Sequence, residues 1–418
     1  MNNCKRVVVI PDGFADDKIE SLDDRTPMQA AQTPTLDRWA PMGVQGRSFN
    51  VPNTLSPGSD VATLSLLGYD PLEMYTGRAP LEVAAQGIEM GPNDWAWRCN
   101  LVTLENEIMK SFTAGHISSE DGAELLGDLQ RDVAPLWKEI APEIGGSVEF
   151  VPGVSYRNVV IIHPESDDKP LPFGPETTTF PPHDYSDRSI AYVRPQGPGA
   201  DAARKLTAVC AEYMKTARTN ARRVAEGKLP ATDCWLWGQG KRPSTITFAE
   251  KFNWGQGAMI TAVDLLRGIA TILGWDVLDV PGATGYVDTN FAGKGEAAAK
   301  ALDDYDIVVV HVEAPDEAGH EGSVEKKIRS LEQIDQETLP PILEKLQTFS
   351  NWRLLISPDH PTPVATKTHS HGHVPWMILG SDVTGDGMTS YDETTGEASS
   401  RFYHEGSELM ELFLHGAL

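Results

Sequence analysis

Residues 306–320, DIVVVHVEAPDEAGH, place a dense group of metal-ligand side chains directly after an apolar run. The β-branched run 306–312 is nearly continuous in hydrophobicity, which is typical of a strand covered on both faces of a parallel sheet. Asp316 and His320 follow it four residues apart, so one helical turn would bring them to the same side. The stretch therefore predicts a buried strand that ends at a polar site.

Similar short runs elsewhere in the chain alternate with helical patterns. The predicted strands are 6–10, 159–162, 306–312, 352–357 and 374–379, and the predicted helices are 33–42, 60–67, 200–226, 256–273 and 323–346. Alternation of this kind indicates an α/β fold with a largely parallel sheet flanked by helices.

The middle of the chain differs from both ends. It contains a Pro-rich segment, 169–187, then a long charged helical pattern, and no group of ligand side chains. We therefore predict a discontinuous metal-binding catalytic core, 1–117 and 232–418, and an inserted α+β cap or substrate domain, 118–231.

Charge and cysteine content narrow the classes of function. The chain has 418 residues, with 35 Lys+Arg against 60 Asp+Glu and a net charge of −25. Such an acidic balance argues against nucleic acid or an anionic membrane as a partner. The four cysteines lie far apart, which argues against disulfides and a cysteine-based zinc site. No signal-peptide pattern and no run of ~18 apolar residues is present, so we expect a cytoplasmic protein that acts on a small molecule.

Three further segments repeat the pattern of a strand followed by ligands. Asp12 follows VVVIP, Asp359 and His360 follow LLISP, and His369 begins the run HSHGH. Because sites in open α/β sheets form at the carboxyl ends of strands, these segments can converge on one crevice. Mixed carboxylate and imidazole ligands suit Mn²⁺ or Zn²⁺, with Mg²⁺ as an alternative, and two such ions can hold a phosphoryl group. Taken singly, each residue could equally be a turn former or a helix cap.

Ser59 is the candidate nucleophile. A Pro-Gly turn leads into Ser59, and Asp60 begins the next helical pattern, so the serine would lie at a helix N-terminus that favours a phosphate. A plain N-cap role is the alternative, and Ser56 is a weaker candidate because Pro57 follows it. The chain has no G-x-x-x-x-G-K-[ST], no G-x-G-x-x-G and no G-x-S-x-G motif. The metals and Ser59 would therefore have to hold any phosphate.

Several motifs, in order along the chain, are similar to those of one family. They are IPDG (10–13), TPTLD (33–37), PGSDVATLSLLGYDP (57–71), TGRAPLE (76–82), RCNLVT (98–103), PGATGYVDT (281–289), DEAGH (316–320), PDHPTP (358–363) and HVP (373–375). Over roughly 1–117 and 232–418, the chain resembles the archaeal-type cofactor-independent phosphoglycerate mutases of the alkaline phosphatase superfamily. The resemblance implies an alkaline-phosphatase-like core.

The resemblance also implies two divalent metal ions and a phosphoserine intermediate on Ser59. One metal site matches Asp12, Ser59, Asp359 and His360. The other matches Asp316, His320 and His369, where His369 is chosen because it lies five residues before the Val-Pro pair. His371 and His373 receive no role.

Three positions depart from the mutase pattern, and all concern the substrate. His116 and Trp237 stand where the mutases carry arginines, and Glu313 stands where they carry a lysine. Phosphoglycerate is multiply anionic and suits guanidinium partners, so the changes favour a substrate with an ammonium group, although Lys241 and Arg242 compensate in part. Glu313 would pair with that ammonium, or would instead orient a ligand histidine. Trp237 would offer the ammonium a π face.

These variants resemble a subgroup proposed to be homoserine kinases. We therefore expect a dimetal-dependent phosphotransferase that transfers a phosphoryl group to the homoserine hydroxyl in threonine biosynthesis, with ATP as a candidate donor. The inserted domain, including His183 and Asp184, would close over the acceptor and exclude water. The alternatives are a 2,3-bisphosphoglycerate-independent phosphoglycerate mutase, which interconverts 3-phosphoglycerate and 2-phosphoglycerate in glycolysis, and a phosphatase.

Overall fold

The computed structural model describes residues 4–418, which divide into two compact units. The first unit ends at Tyr75 and resumes at Thr245, and the second unit spans Thr76–Ser244. The strands are β1 Cys4–Pro11, β2 Val44–Ser48, β3 Trp95–Glu105, β4 Ile108–Ser111, β5 Ser147–Val154, β6 Arg157–His163, β7 Asp233–Lys241, β8 Gly257–Ile260, β9 Asp276–Val277, β10 Ile307–Val312, β11 Asn351–Ile356, β12 Val374–Gly380 and β13 Phe402–Tyr403.

The helices are distributed over both units. They are α1 Pro27–Ala30, α2 Pro34–Trp39, α3 Ser59–Leu66, α4 Pro71–Met74, α5 Arg78–Ala85, α6 Ser119–Asp132, α7 Trp137–Ile140, α8 Ala200–Met214, α9 Arg218–Ala225, α10 Phe248–Phe252, α11 Asp264–Ile272, α12 Phe291–Ala301, α13 Ala314–Glu321, α14 Val324–Gln333, α15 Leu339–Leu346, α16 Glu393–Ala398 and α17 Glu408–His415. Within the described residues, every helix is too short or too polar to span a lipid bilayer.

The first unit is built on an eight-stranded sheet in the order β13-β2-β12-β11-β1-β10-β8-β9. The central strands β8, β10, β1 and β11 are parallel to one another, and β12 runs antiparallel to both β11 and β2. Residues 7–10 of β1 and 307–310 of β10 are fully buried, which explains their continuous hydrophobicity. The prediction of an α/β fold with a largely parallel sheet is confirmed.

The pairing of the three central strands fixes where the polar residues emerge. Ile10 of β1 pairs with His311 of β10, and Val9 of β1 pairs with Ile356 of β11. The residues that follow the three strands therefore emerge at one edge of the sheet, as expected for adjacent parallel strands.

The second unit has an antiparallel sheet in which β3 pairs with β4, β6 and β7, and β5 pairs with β6. Helices α6 and α8 cover one face, with Leu125, Leu129 and Leu206 in the core. This unit is wider than the predicted insertion at 118–231, because β3 is the strand to which β6 and β7 add. The side chains of α5 also pack on this sheet.

Two helical predictions differ from the structure. Residues 256–273, predicted as one helix, form β8 followed by α11, because the short buried run 257–260 has no periodicity that separates a strand from a helix. The predicted helix 200–226 is interrupted after Met214 and resumes at Arg218 as α9.

Candidate active site

Ser59 is the first residue of α3 and lies beside two predicted metal ligands. Its hydroxyl donates a hydrogen bond to Asp12 Oδ2 at 3.0 Å, and its Oγ is 3.3 Å from His360 Nε2. The backbone N–H groups of the first turn of α3 have no partners within the helix, which favours a phosphate at this point. The serine therefore combines a proton acceptor with an oxyanion-binding helix end.

The first group of ligand atoms comes from the ends of β1 and β11. Asp12, Asp359 and His360 each offer an atom within 4.8 Å of the others. His360 Nε2 is 3.6 Å from Asp12 Oδ1 and 3.4 Å from Asp359 Oδ2. All three side chains are buried, yet Asp12 Oδ1 and Asp359 Oδ2 have no hydrogen-bond partner. Buried carboxylate oxygens without partners are unfavourable unless a cation binds them.

The second group consists of Asp316 and His320 on α13 and of His369 in the segment before β12. His320 Nε2 lies 3.2 Å from Asp316 Oδ2, and His369 Nε2 lies 3.5 Å from Asp316 Oδ1. The two Nε2 atoms are only 3.0 Å apart.

The other ring nitrogens of this pair show which atoms face inward. His320 Nδ1 contacts the Lys367 carbonyl at 3.0 Å, and His369 Nδ1 contacts the Pro57 carbonyl at 3.2 Å. A carbonyl only accepts, so each Nδ1 carries a proton and each Nε2 faces the other ring and Asp316. A proton on His320 Nε2 can hold this contact, and the same three side chains are arranged to bind a metal ion in its place.

Tight packing holds the two groups together. Gly13 has φ +61°, and a Cβ there would lie 2.5 Å from Asp316 Oδ1 and 2.6 Å from Thr362 Oγ1. Glycine is therefore required at this turn by both conformation and space. Thr362 donates a hydrogen bond to Asp316 Oδ1, and its Oγ1 is 3.3 Å from His360 Nδ1. Sequence reasoning missed Thr362, because an isolated threonine carries no recognisable signal.

The electrostatics of this site favour positive charge. Burial raises the pKa of Asp12, and the charges of Asp359, Asp316 and Glu313 raise it further. The hydrogen bond with Asp316 raises the pKa of His320 to about 9. The described residues thus provide an oxygen and nitrogen donor set with unsatisfied oxygens, and they fit divalent metal ions of the kind that accept both ligand types.

A third group of ligand atoms lies beside the first two. Asp12, His311 and Glu313 also offer atoms within 4.8 Å of one another. Glu313 immediately follows β10 and is half-buried, and burial raises its pKa well above the ordinary value, with the charge of Asp316 adding to the rise. Sequence reasoning singled out Glu313 but assigned no role to His311, although the pattern His-x-Glu at the end of a strand was visible.

The second unit shows a different arrangement around Trp237. The indole is 4 % exposed, its Nε1 donates to Asn100 Oδ1 at 3.0 Å, and Arg98 places its guanidinium 4.1 Å from the ring centroid. Arg98 is the residue directly opposite Trp237 across the β3–β7 pair. The ring face that was expected to receive a substrate ammonium is therefore occupied by an arginine of the chain itself.

Arg98 belongs to a group of three arginines, which we call the arginine group: Arg78, Arg98 and Arg157. A Cβ at Gly238, which has φ +58°, would lie 3.3 Å from Arg98 Cδ and 3.8 Å from Arg78 Cβ. Burial lowers the pKa of Arg98, Glu82 opposes this, and the charges of Arg78 and Arg157 lower it further. The exposed Arg157 lies 5.3 Å from the Tyr156 ring. The three guanidinium groups therefore form a local concentration of positive charge in the second unit.

The remaining predicted substrate residues are also in the second unit. The ring of His183 contacts Trp237 at 5.7 Å between centroids, and burial lowers its pKa, with the arginine group contributing. Asp184 is exposed and lies 3.6 Å from His183. Lys241 is the last residue of β7, and its Nζ lies 5.9 Å from the centroid of the Trp95 ring. His116 is exposed in the turn after β4, and none of the hydrogen bonds found in residues 4–418 joins its side chain to the arginine group.

A largely parallel sheet with aspartate and histidine side chains at the carboxyl ends of its strands defines an α/β protein with a candidate metal centre. The family model for 2,3-bisphosphoglycerate-independent phosphoglycerate mutase matches residues 40–220. The protein of that name from Methanothrix thermoacetophila is 43 % identical over 413 residues, which cover 99 % of this chain and 100 % of the relative. The one from Methanosarcina acetivorans is 42 % identical over 412 residues, covering 98 % and 99 %.

Solved structures give the same result. A cofactor-independent phosphoglycerate mutase from Thermoplasma acidophilum matches with a TM-score of 0.66 at 25 % identity, over 99 % of this chain and 100 % of that one. A protein from Pyrococcus horikoshii reaches 0.78 at 26 % identity, over 98 % and 96 %. The chain belongs to the archaeal-type family of 2,3-bisphosphoglycerate-independent phosphoglycerate mutases.

The expectation of a homoserine kinase is wrong. Relatives that are 40–43 % identical over 98 % or more of this chain carry the mutase name, and ATP as a donor loses its support as well. The physical error lay in treating Trp237 as a lost guanidinium. Its cross-strand neighbour Arg98 places a guanidinium 4.1 Å from the centroid of the Trp237 ring.

Proposed function

We propose that this chain is a metal-dependent phosphoglycerate mutase that interconverts 3-phosphoglycerate and 2-phosphoglycerate through a phosphoserine at Ser59. The observation that carries the proposal is the position of Ser59 Oγ, at the start of α3 and between Asp12 Oδ2 and His360 Nε2. The names and full-length similarity of the relatives support the same activity.

The chain's own residues account for the nucleophile. The hydrogen bond to Asp12 Oδ2 orients the Ser59 hydroxyl so that Oγ can attack phosphorus in line with the leaving oxygen. The Oγ–P bond forms as the bond from phosphorus to the substrate oxygen breaks, and that oxygen takes up the proton that Ser59 releases. The reverse step at the neighbouring hydroxyl gives the isomer. The N–H groups of α3 would bind the transferred phosphoryl oxygens.

The metal ligands form two sets in this proposal. Asp12, Ser59, Asp359 and His360 would hold one ion, and Asp316, His320 and His369 would hold the other. When bound, Mn²⁺ or Zn²⁺ would supply charge stabilisation for the phosphoryl oxygens and favour the serine alkoxide. His360 offers an atom within 4.8 Å of Asp12 and Asp359, and also within 4.8 Å of Asp316 and His369. This histidine is therefore close to both sets.

The arginine group is the proposed binding site for the anionic part of the substrate. Arg98 is partly neutralised by Glu82, with 2.8 Å between Arg98 Nη2 and Glu82 Oε1, whereas Arg157 is exposed and makes its described hydrogen bond to Tyr156. A carboxylate would take a bidentate contact from such guanidinium groups. The proposal thus assigns phosphoryl transfer to the first unit and anion recognition to the second.

The direct test is conversion of 3-phosphoglycerate followed by ³¹P NMR, with Mn²⁺ present and without added 2,3-bisphosphoglycerate. The wild type is expected to give a mixture of 3- and 2-phosphoglycerate, and Ser59→Ala is expected to lose this activity. Ser56→Ala is the matched control, since Ser56 is exposed and precedes the same turn, and it should retain the wild-type rate. Release of inorganic phosphate alone would identify a phosphatase and overturn the proposal.

A further inference from the structure

The group formed by Asp12, His311 and Glu313 lies outside both metal sets of the proposed function. His311 Nε2 is 2.9 Å from Asp12 Oδ2 and 3.7 Å from Glu313 Oε2. Three donor atoms that converge on one point, two from carboxylates and one from an imidazole, have the composition of a divalent-metal site.

One carboxylate oxygen that faces this group lacks a hydrogen-bond partner. Glu313 Oε2 is shielded from solvent and accepts no hydrogen bond, whereas Asp12 Oδ2 accepts from Ser59 and lies 2.9 Å from His311 Nε2. The neighbouring cation, Lys294, donates instead to the backbone carbonyl of His311 at 2.9 Å. The described hydrogen bond of Lys294 therefore goes to a backbone carbonyl and not to the Glu313 carboxylate. A bound cation would stabilise a buried, unpaired carboxylate in such a setting.

The imidazole of His311 is held in position to act as a ligand. Thr261 Oγ1 lies 3.1 Å from Nδ1 and also accepts the Val263 N–H at 3.1 Å. This contact fixes the ring so that Nε2 faces the two carboxylates, as the outer partners of metal-binding histidines commonly do.

The carboxylate of Asp12 can serve two sites at once. Its Oδ2 faces His311 and its Oδ1 faces His360, 3.6 Å away. One oxygen is thus directed towards each group, which is the arrangement of a bridging ligand. Ser59 donates to Oδ2, so an ion in the third group would lie next to the nucleophile.

We propose that Asp12, His311 and Glu313 form a third divalent-cation site. Mixed oxygen and nitrogen donors select an ion such as Mn²⁺ or Zn²⁺. The inference rests on the proposed function for its role. Phosphorylation of Ser59 adds about two negative charges beside the carboxyl groups of Asp12, Glu313, Asp316 and Asp359. The third ion balances that added charge beside the phosphoserine.

The test is a count of bound ions by equilibrium dialysis of the chelator-treated, full-length protein against Mn²⁺, with the metal content measured by mass spectrometry. Glu313→Gln is expected to bind one manganese ion fewer per chain than the wild type. Glu317→Gln is the matched control. Glu317 is a half-buried acid on α13, four residues after Glu313, and it does not belong to the group of Asp12, His311 and Glu313. It should bind as many ions as the wild type.

An equal number of ions in the wild type and in Glu313→Gln would overturn the third site. Should Glu313→Gln fail to fold, His311→Asn provides the same comparison. Mutase turnover measured on the same preparations separates the two proposals. Full turnover with an equal ion count removes only the third site, whereas one ion fewer without mutase turnover in the wild type removes only the proposed reaction.

Discussion

The candidate active site in the first unit and the buried arginines of the second unit differ in how their buried charges are paired. In the first unit, Asp12 and Asp359 are fully buried and each has a carboxylate oxygen without a partner. In the second unit, the buried Arg223 donates to Asp121 at 2.8 Å, and Arg98 pairs with Glu82. Unpaired acids therefore mark the place where the fold reserves ligand positions, whereas paired charges in the second unit support structure and leave net positive charge at the arginine group.

The comparison also shows what kind of sequence signal each unit carries. The ligands of the first unit follow strands within contiguous motifs, so their type and position are visible residue by residue. The proposed anion recognition by the arginine group depends on which residues face each other across β3 and β7, and that register is not visible in either strand alone.

The largest expected effect is the loss of a ligand in the first unit. Asp359→Asn removes a charged oxygen from the group with Asp12 and His360, and we expect kcat for mutase turnover to fall on the order of 10³-fold, the upper range for loss of one electrostatic stabiliser. Coupled measurement of 2-phosphoglycerate formation checks this result.

His371→Ala is the control for that variant. His371 is exposed, and its Nε2 contacts the Leu55 carbonyl. Its turnover should stay close to the wild-type value. Asp359 and His371 both lie in the connection between β11 and β12. If kcat of His371→Ala fell as far as that of Asp359→Asn, the conformation of this connection, rather than the proposed metal ligand, would determine the rate.

The second prediction concerns the buried support of the ligand loop. Lys327 Nζ donates to Asp16 Oδ2 at 2.7 Å and to the Thr362 carbonyl at 2.9 Å, and both charged side chains are fully buried. Lys327→Met would leave Asp16 buried without its cation, so the free energy of unfolding should fall by about 3 kcal/mol. Urea unfolding measures this change.

The adjacent Lys326 provides a matched control. It is only partly buried, and it pairs with Glu321 and with the Tyr286 hydroxyl. Lys326→Met should therefore unfold at nearly the wild-type urea concentration. Equal destabilisation of both variants would show that the Asp16–Lys327 pair has no special part in holding Thr362.

The third prediction uses metal binding without any substrate. Ions that bind the folded first unit should stabilise it, by roughly 2.7 kcal/mol when free Mn²⁺ is 100-fold above the dissociation constant. Thermal unfolding with and without Mn²⁺ checks this, and the increase should be smaller for Asp359→Asn. The same increase in both proteins would mean that manganese binds elsewhere.

The smallest expected effect is in the second unit. Arg157→Gln removes an exposed guanidinium of the arginine group, and KM for 3-phosphoglycerate should rise about tenfold with kcat nearly constant, as for one lost charge-assisted hydrogen bond. Arg131→Gln is the control, since Arg131 pairs with Asp128 and Asp132 on α6. A fall in kcat at constant KM would place Arg157 in the chemical step instead.

Sequence reasoning predicted most of the fold, and several of the side chains it proposed as metal ligands lie close together in the structure, for local reasons. Asp12, Asp359 and Glu313 directly follow buried strands, so a strand-end pattern was enough to bring them together. The α/β class followed from runs such as 306–312. The substrate class did not follow, because it depended on Arg98, whose proximity to Trp237 arises from antiparallel pairing between residues far apart in the chain.

Other errors have equally specific causes. The strand β8 was taken as part of a helix because four buried apolar residues fit either structure. The predicted insertion, 118–231, is narrower than the second unit, Thr76–Ser244. The sequence of β3 is that of an ordinary strand, and nothing in it shows that β6 and β7 pair with it. His311 was not assigned because a histidine within an apolar strand resembles an ordinary buried residue.

The central claim is that Ser59 carries the phosphoryl group. The most direct test is to incubate the Mn²⁺-loaded protein with 3-phosphoglycerate, quench it in acid and locate phosphorylation by peptide mass spectrometry. The account predicts one phosphorylated peptide with the phosphate on Ser59, and none after treatment of Ser59→Ala. Phosphate on another residue, or rapid mutase turnover by Ser59→Ala, would contradict it.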